Sequence, residues 1–229
     1  MKDIDYTRLD YTRWSFRQRL FQKAFALGVR LLGRLHIEGI EKIPSGAFVA
    51  ATNHTHNLDM PVYFSISTRP TICFVSDSWK NKAGFNWFLS QVGQVIFVAL
   101  REESGGRNVS NRKALSQALS VLRSGGILAL APQGGRSLEG LQPGLPGIAY
   151  LANRGSVPVQ TVVVYGQELA IQHWKRFRRV PVYVRFGPLI RLPEHKMKSG
   201  ELLEQTHRIM VELARLLPPE YRGVYHDVE

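Results

Sequence analysis

Residues 47–59 read AFVAATNHTHNLD and place a short, almost wholly apolar run directly before a polar loop. A run of this length between turn residues is typical of a buried strand. Strands of a parallel sheet end at an edge where the following loops gather and bind ligands. The stretch therefore predicts a buried sheet with a functional loop at residues 53–59.

The same alternation continues along the chain. Further strand-like runs cover residues 71–76, 94–100, 126–132, 157–166 and 180–187. Helix-like stretches lie between or after them, at residues 80–93, 110–126, 144–156 and 199–223. Buried strands that alternate with helices indicate an α/β fold with a largely parallel central sheet flanked by helices. No linker interrupts this pattern, so we expect one domain over residues 36–229.

The preceding segment, residues 1–35, is expected to hold an amphipathic N-terminal helix at residues 14–35. Its apolar residues recur at helical spacing, at Leu20, Phe21, Ala24, Phe25, Gly28, Leu31, Leu32 and Leu35. Basic side chains fall largely on the other faces. Two interpretations remain open: a helix packed on the body with a solvated basic face, or an interfacial helix whose apolar stripe enters lipid.

The composition limits the classes of protein and partner. The 229 residues include 30 basic and 18 acidic ones, a net charge of +12, with 44% hydrophobic and 21% charged residues. These fractions argue against disorder, and the charge suggests phosphates on nucleic acid or on a membrane. The excess is local: residues 1–35 hold eight basic and three acidic residues, and residues 171–200 hold eight and one. A single cysteine, Cys73, rules out an intrachain disulfide.

The sequence also bears on where the protein is located. No apolar run reaches the roughly 18 residues that a spanning helix needs, and the first residues lack the apolar core of a signal peptide. We expect a cytoplasmic protein that lies on a membrane without crossing it.

The loop at residues 53–59 contains His54, His56 and Asp59, which suggest three chemistries. The first is a metal site, although the spacing differs from the H-x-H-x-D-H pattern of metallo-hydrolases. The second is a His–Asp pair that accepts a proton, and the third is a polar loop with incidental histidines. The chain has no G-x-S-x-G motif, and Cys73 lies within an apolar run. The nucleophile should therefore belong to the substrate, and acyl transfer from a thioester to a hydroxyl fits.

Two further segments offer anion-binding groups. Residues 131–137, APQGGRS, follow a predicted strand, and their glycines would let backbone N–H groups approach an anion beside Arg136. Residues 93–101 form a predicted strand that delivers Arg101 to its carboxyl end. Taken singly, a plain tight turn and a surface arginine explain these features equally well.

Taken in order, the segments resemble the glycerolipid acyltransferase family, best known from 1-acylglycerol-3-phosphate acyltransferase. The family's NH-x-x-x-x-D motif corresponds to Asn53, His54 and Asp59. Its G-x-I-F-I-x-R motif corresponds to residues 93–97 and Arg101, with one extra residue before the arginine. FPEGTRS corresponds to residues 131–137 and VPIVPV to residues 157–162. The likeness covers roughly residues 35–225.

The resemblance implies that His54 is the general base on the acceptor hydroxyl, supported by Asp59. The acyl donor would be a thioester on coenzyme A or acyl carrier protein, and no metal or bound cofactor is expected. The implied substrate-binding residues are Phe97, Arg101, Gln133, Gly134, Gly135, Arg136 and Pro158. The two arginines would hold an acceptor phosphate, and the proline would shape the acyl pocket. The expected partners are a lysolipid acceptor and an anionic membrane, without nucleic acid, in phospholipid biosynthesis.

Three departures bear on the acceptor. Gln133 replaces the glutamate of FPEGTRS, Asp77 replaces a basic residue that commonly follows the second strand, and Leu145-Pro146 replaces a lysine. The expected acceptor is 1-acylglycerol-3-phosphate, and the alternative is a different lipid or glycolipid hydroxyl. A non-catalytic relative that binds membranes or nucleic acid remains a further alternative, because residues 173–186 mix aromatic and basic side chains.

Overall fold

The computed structural model describes residues 4–80, 82, 84, 87, 95–99 and 111–228. These residues form one sheet of seven strands: β1 (Gly33–Glu38), β2 (Phe48–Thr52), β3 (Thr71–Ser76), β4 (Val95–Val98), β5 (Ile127–Leu130), β6 (Val159–Tyr165) and β7 (Val180–Ile190). Their order is β1-β7-β6-β2-β5-β3-β4. Every neighbouring pair is parallel except β6 and β7. The carboxyl ends of β6, β2 and β5 therefore lie side by side.

Helices cover both faces of the sheet. The described helices are α1 (Phe16–Leu32), α2 (Asp59–Ile66), α3 (Arg112–Arg123), α4 (Gly147–Gly155), α5 (Ala170–Trp174) and α6 (Ser199–Leu216). Buried residues of α3, α4 and α6 pack on one face, and those of α2 and α5 pack on the other. The α1 helix lies against α2. This arrangement confirms the predicted α/β fold with a largely parallel sheet and an N-terminal helix.

The centre of the sheet is buried and largely apolar. All seven residues of β6 and all five of β2 are buried, and β-branched valine dominates β6. Such strands read as continuous apolar runs because helices cover both of their faces. The two strands form a rigid base for the loops that follow them.

The start of the domain differs from the sequence-based expectation. The helix begins as predicted, with a capping box in which Ser15 and Gln18 satisfy each other's backbone N–H groups. It ends at Leu32, however, and Gly33 begins β1, which pairs with β7 from Val180 onward. The predicted helix end at residue 35 is therefore three residues too late, while the division of the chain into segments 1–35 and 36–229 stays a prediction. Pairing between strands 147 residues apart is invisible to local periodicity.

The residues before α1 also belong to the body of the protein. Tyr6, Tyr11 and Trp14 are buried, and the Tyr6 hydroxyl donates to the Val95 carbonyl at 2.8 Å. The chain therefore packs against the sheet before it reaches α1. The predicted helix at residues 80–93 lies mostly outside the described residues. Within the described part of the chain, no helix has the length and apolar character of a membrane span.

Candidate active site

Asn53 carries the chain out of the sheet at the end of β2. Its Nδ2 donates to the Val164 carbonyl at 2.7 Å, and the Val164 N–H donates to its Oδ1 at 2.9 Å. The side chain thus continues the hydrogen bonding between β2 and β6 while the backbone turns away. The hydroxyl of Tyr63 reaches the same Oδ1 at 3.2 Å. Burial, followed by the nearby charge of Asp59, raises the pKa of Tyr63 well above its ordinary value, so its hydroxyl remains a donor.

His54 and Asp59 form the predicted pair. His54 Nδ1 lies 2.8 Å from Asp59 Oδ2, and the aspartate is buried while the imidazole side chain is 31% exposed. Asp59 Oδ2 also accepts the backbone N–H groups of Thr55 at 2.9 Å and His56 at 3.0 Å. These two backbone donors fix the Asp59 carboxylate beside His54 Nδ1. The other nitrogen, Nε2, is not used in this bond.

Gln167 completes the surroundings of Asp59. It follows β6, is buried, and its Nε2 donates to Asp59 Oδ1 at 2.6 Å. The sequence analysis missed this residue, because the strand order that puts β6 beside β2 is not visible in a local pattern. Its position in the sequence, two residues beyond the carboxyl end of a buried strand, is the feature that could have indicated it.

The loop at residues 131–137 wraps around the carbonyl of His54. Gln133 Nε2 donates to that carbonyl at 3.2 Å and to the Gly135 carbonyl at 3.0 Å, and the Ser137 N–H also donates to the His54 carbonyl, at 3.0 Å. Gly134 has a φ of +80°, which favours glycine and turns the loop tightly. The Gln133 amide therefore bonds to the protein backbone, and it supports the loop at residues 53–59, called the histidine loop here.

Arg136 lies on the solvent side of the same edge. Its guanidinium donates to Asn57 Oδ1 at 2.9 Å, which ties the arginine loop to the histidine loop. The residue is exposed, so the rest of its donors face solvent. The structure thus brings His54, Asp59, Gln133 and Arg136 together, as the sequence analysis expected, with Gly134 and Gly135 in the connecting turn.

Other predicted residues lie elsewhere. Pro158 precedes β6 and its carbonyl accepts the Val49 N–H at 3.0 Å, at the opposite end of the sheet from His54. Because β6 runs parallel to β2, only its final residues reach the His54–Asp59 pair, and the role of Pro158 in shaping an acyl pocket stays a prediction. Phe97 is partly buried on β4, three strands from β2, or roughly 14 Å at ~4.8 Å per strand. Arg101 lies outside the described residues.

Other chemistries find less support in the described residues. Cys73 lies in β3, and burial raises the pKa of its thiol to about 12, so a reactive thiolate is scarce. In the described portion of the chain, no group of three or more His, Cys, Asp or Glu side chains is placed to hold a metal ion. The described residues at this edge of the sheet offer a histidine bonded to a buried carboxylate.

Comparisons with known proteins bear on the fold and on the family. The chain is similar over 84% of its length to a solved structure, the 1-acyl-sn-glycerophosphate (LPA) acyltransferase PlsC from Thermotoga maritima, at 18% identity, with 78% of that chain covered and a TM-score of 0.59. At this identity the likeness supports the fold. Among curated proteins, no sequence matches significantly. The model of the Acyltransferase family matches residues 34–165, more than half of the chain, and the protein therefore belongs to the acyltransferase family.

Proposed function

We propose that the protein is an O-acyltransferase that moves a fatty acyl group from a thioester donor to the hydroxyl of a lysophospholipid-type acceptor. The observation that carries the proposal is the His54–Asp59 pair, with Nδ1 bonded to the buried carboxylate and Nε2 free of it. Membership of the acyltransferase family supports the same reaction class. The donor is acyl-coenzyme A or acyl carrier protein, and the acceptor to test first is 1-acylglycerol-3-phosphate.

The reaction follows from these positions. His54 Nε2 takes the proton of the acceptor hydroxyl as its oxygen attacks the thioester carbonyl carbon. Asp59 stabilises the imidazolium that forms. As the carbon–sulfur bond breaks, the imidazolium returns the proton to the leaving thiolate, and an ester and a free thiol remain. No covalent enzyme intermediate and no bound cofactor are required.

Arg136 supplies the charge that would hold an acceptor phosphate. Its guanidinium is anchored to the histidine loop through Asn57, and a guanidinium can bind a phosphate with two parallel hydrogen bonds. Arg101 keeps the same proposed role. Gln133 is engaged with two backbone carbonyls, so we assign it to loop support rather than to direct contact with the acceptor. A different lipid or glycolipid hydroxyl stays the alternative acceptor.

Membrane association is part of the proposal. The outer surface of α1 exposes Phe16, Leu20, Leu27 and Leu31, which are 85%, 62%, 59% and 66% exposed, in one stripe at helical spacing. Basic residues flank the stripe. An apolar stripe with basic flanks suits a helix that lies in the headgroup region of an anionic bilayer. We therefore propose a peripheral protein on the cytoplasmic side of the membrane.

The first experiment replaces the base. His54→Ala should lower acyl transfer by about 10²–10⁴-fold, because it removes the proton acceptor, and the product is measured by mass spectrometry. His56→Ala is the matched control, since this histidine lies in the same loop and only its backbone N–H reaches Asp59. Equal turnover in the native protein and His54→Ala would rule out the mechanism. Acceptor classes are then compared in one panel, with both thioester donors.

A further inference from the structure

A basic cavity lies between the start of β1 and the start of β7. Its volume is about 350 Å³, and its lining residues are Arg34, His173, Arg178, Arg179 and Pro181. Segments 30–36 and 170–181, which surround it, contain six lysine or arginine residues and no aspartate or glutamate. A concave site with several cations and no acidic side chain in its walls attracts an anion from outside the protein.

One guanidinium of the cavity is fixed by the backbone. Arg179 Nε and Nη2 donate to the Gly33 carbonyl at 3.2 and 2.7 Å, and Nη2 also donates to the Arg30 carbonyl. These carbonyls stand where α1 ends and β1 begins, so the arginine closes the end of the helix. Its position is therefore set before any ligand arrives, and Nη1 is not used in these bonds.

The other polar groups of the cavity have hydrogen-bond donors or acceptors that the protein does not use. Arg34 and Arg178 are exposed, and their side chains make no hydrogen bond or ion pair with the described residues. Within the same part of the structure, His173 Nδ1 is buried and has no hydrogen-bond partner. A buried ring nitrogen without a partner is costly, so a ligand or a water molecule is expected beside it.

Two exposed aromatic residues adjoin the cavity lining in the sequence and are called its rim here: Phe177 precedes Arg178, and Trp174 follows His173. Phe177 is fully exposed and has a φ of +53°, which is uncommon for a bulky residue. Its backbone ends α5 in a Schellman arrangement, with the Arg178 N–H donating to the His173 carbonyl and the Phe177 N–H to the Trp174 carbonyl. Trp174 Nε1 donates to the Leu32 carbonyl, which joins this rim to the end of α1.

The cavity opens near the active-site edge. Gly166, which follows β6, packs so closely on Pro181 that a Cβ there would collide with the Pro181 carbonyl oxygen. The next residue, Gln167, donates to Asp59. One tight turn therefore has the basic cavity on one side and the His54–Asp59 pair on the other.

We propose that this cavity binds the phosphate headgroup of an anionic phospholipid in the bilayer. Arg34, Arg178 and Arg179 would contact the phosphate, while Phe177 and the end of α1 enter the lipid around it. The apolar rim favours a lipid over a dissolved phosphate, because a soluble anion gains nothing from exposed aromatic side chains. The proposal rests on the membrane association given above, and it adds a defined headgroup site to a diffuse attraction. It does not depend on acyl transfer.

The test compares three double substitutions that remove the same charge. Arg34→Gln with Arg178→Gln empties the cavity of its two free cations. Lys175→Gln with Arg176→Gln alters the same surface outside the cavity lining. Arg191→Gln with Lys196→Gln alters exposed residues beyond the other end of β7. Thermal unfolding of each variant checks that the fold is retained.

Each protein is sedimented with phosphatidylcholine vesicles that contain or lack phosphatidylglycerol, at physiological and higher salt. The cavity variant should bind anionic vesicles about tenfold more weakly than either control. Calorimetry with water-soluble dihexanoyl phosphatidylglycerol should show saturable binding of one lipid per chain, and the cavity variant should lose it. The His54→Ala variant should bind like the native protein, which separates this site from catalysis.

Other results would overturn the proposal. Equal losses in the cavity variant and the same-surface control would mean diffuse charge attraction. Inorganic phosphate that binds as tightly as the short-chain lipid would mean a site for free phosphate. Retention on single-stranded RNA above that on anionic vesicles at equal salt would assign the surface to nucleic acid.

Discussion

At the residue scale, four hydrogen-bond donors from two places in the chain hold the carboxylate of Asp59. Three of the donors lie within the loop and bond to Oδ2: the His54 ring and the backbone N–H groups of Thr55 and His56. The fourth, the Gln167 side chain, follows β6 and donates to Oδ1. Bonds within the loop follow from its local conformation. The bond from Gln167 is different, because it fixes the loop relative to the neighbouring strand. Gln167 is therefore a positioning residue, which acts on His54 through Asp59.

Replacement of Gln167 tests that role. Gln167→Met keeps the volume and removes the donor, so we expect kcat to fall about tenfold while KM stays unchanged. Gln160→Met is the matched control, because Gln160 is equally buried and donates to the Gly187 carbonyl, away from the pair. Steady-state kinetics measure kcat and KM for both variants. Equal kcat losses in the two variants would mean that Gln167 only stabilises the fold.

A second residue-scale prediction concerns Gln133. Gln133→Glu would place carboxylate oxygens against the carbonyls of His54 and Gly135, which accept hydrogen bonds and cannot donate them. The pKa of the introduced carboxyl is expected above its ordinary value, and the variant should lose about 1–3 kcal/mol of unfolding free energy at neutral pH. Because a raised folded-state pKa favours folding only below it, the loss should grow as the pH rises.

Chemical denaturation at acidic and at slightly alkaline pH measures this effect. Gln172→Glu provides the same charge change at an exposed position and should be nearly neutral. A Gln133→Glu protein as stable as the native one at alkaline pH would contradict the assigned hydrogen bonds.

At the scale of elements, α1 is joined to the helix that carries Asp59. Phe64 of α2 packs against Phe25 with ring centroids 5.4 Å apart and against Trp14 at 5.7 Å. Gln22 Nε2 donates to the Ser65 carbonyl at 3.0 Å, at the end of α2. The last carbonyls of a helix lack partners within it, so this side chain serves as a cap from outside. The helices α1 and α2 are thus one packed unit.

Removal of that cap should loosen α2. Gln22→Leu is expected to lower the unfolding free energy by about 1 kcal/mol and to speed amide hydrogen exchange across residues 59–67. Hydrogen-exchange mass spectrometry measures the rate in this segment. Lys23→Leu, at the exposed neighbouring position, should leave the rate unchanged. Identical exchange in the native protein and Gln22→Leu would show that α1 does not support the catalytic helix.

At the scale of the whole molecule, the apolar stripe of α1, the exposed Phe177 and the basic cavity belong to one continuous region. The bond from Trp174 to the Leu32 carbonyl and those from Arg179 to the carbonyls of Arg30 and Gly33 join its two halves. Residues 30–34 of the first basic segment and residues 174–181 of the second are therefore neighbours in space. Helices α3, α4 and α6 lie on the opposite face of the sheet.

The apolar stripe makes a separate prediction about membranes. Leu27→Ser with Leu31→Ser should weaken vesicle binding about tenfold at any salt concentration, because the change removes apolar contact and leaves the charge intact. Stability should hardly change, since both side chains are exposed. Leu203→Ser with Val224→Ser removes comparably exposed side chains elsewhere and should bind normally. Undiminished binding by the α1 variant would exclude this stripe as the lipid contact.

Local patterns in the sequence determined the α/β class, most strands and helices, and the His54–Asp59 pair. These features depend on the spacing of apolar residues and on groups five residues apart, and both are encoded within a few turns of chain. Strand β1 was hidden in a helical pattern, because its pairing with β7 involves residues far along the sequence.

Tertiary structure alone decided the features that join distant segments. Gln167 meets Asp59 across 108 residues, and it does so only because the strand order sets β6 beside β2. Pro158 lies away from the same pair because β6 runs parallel to β2 and begins at the far end. The charge excess was visible as composition, whereas the basic cavity arises from the pairing of β1 with β7. Long-range pairing depends on the shape of the packed sheet, and no local periodicity records it.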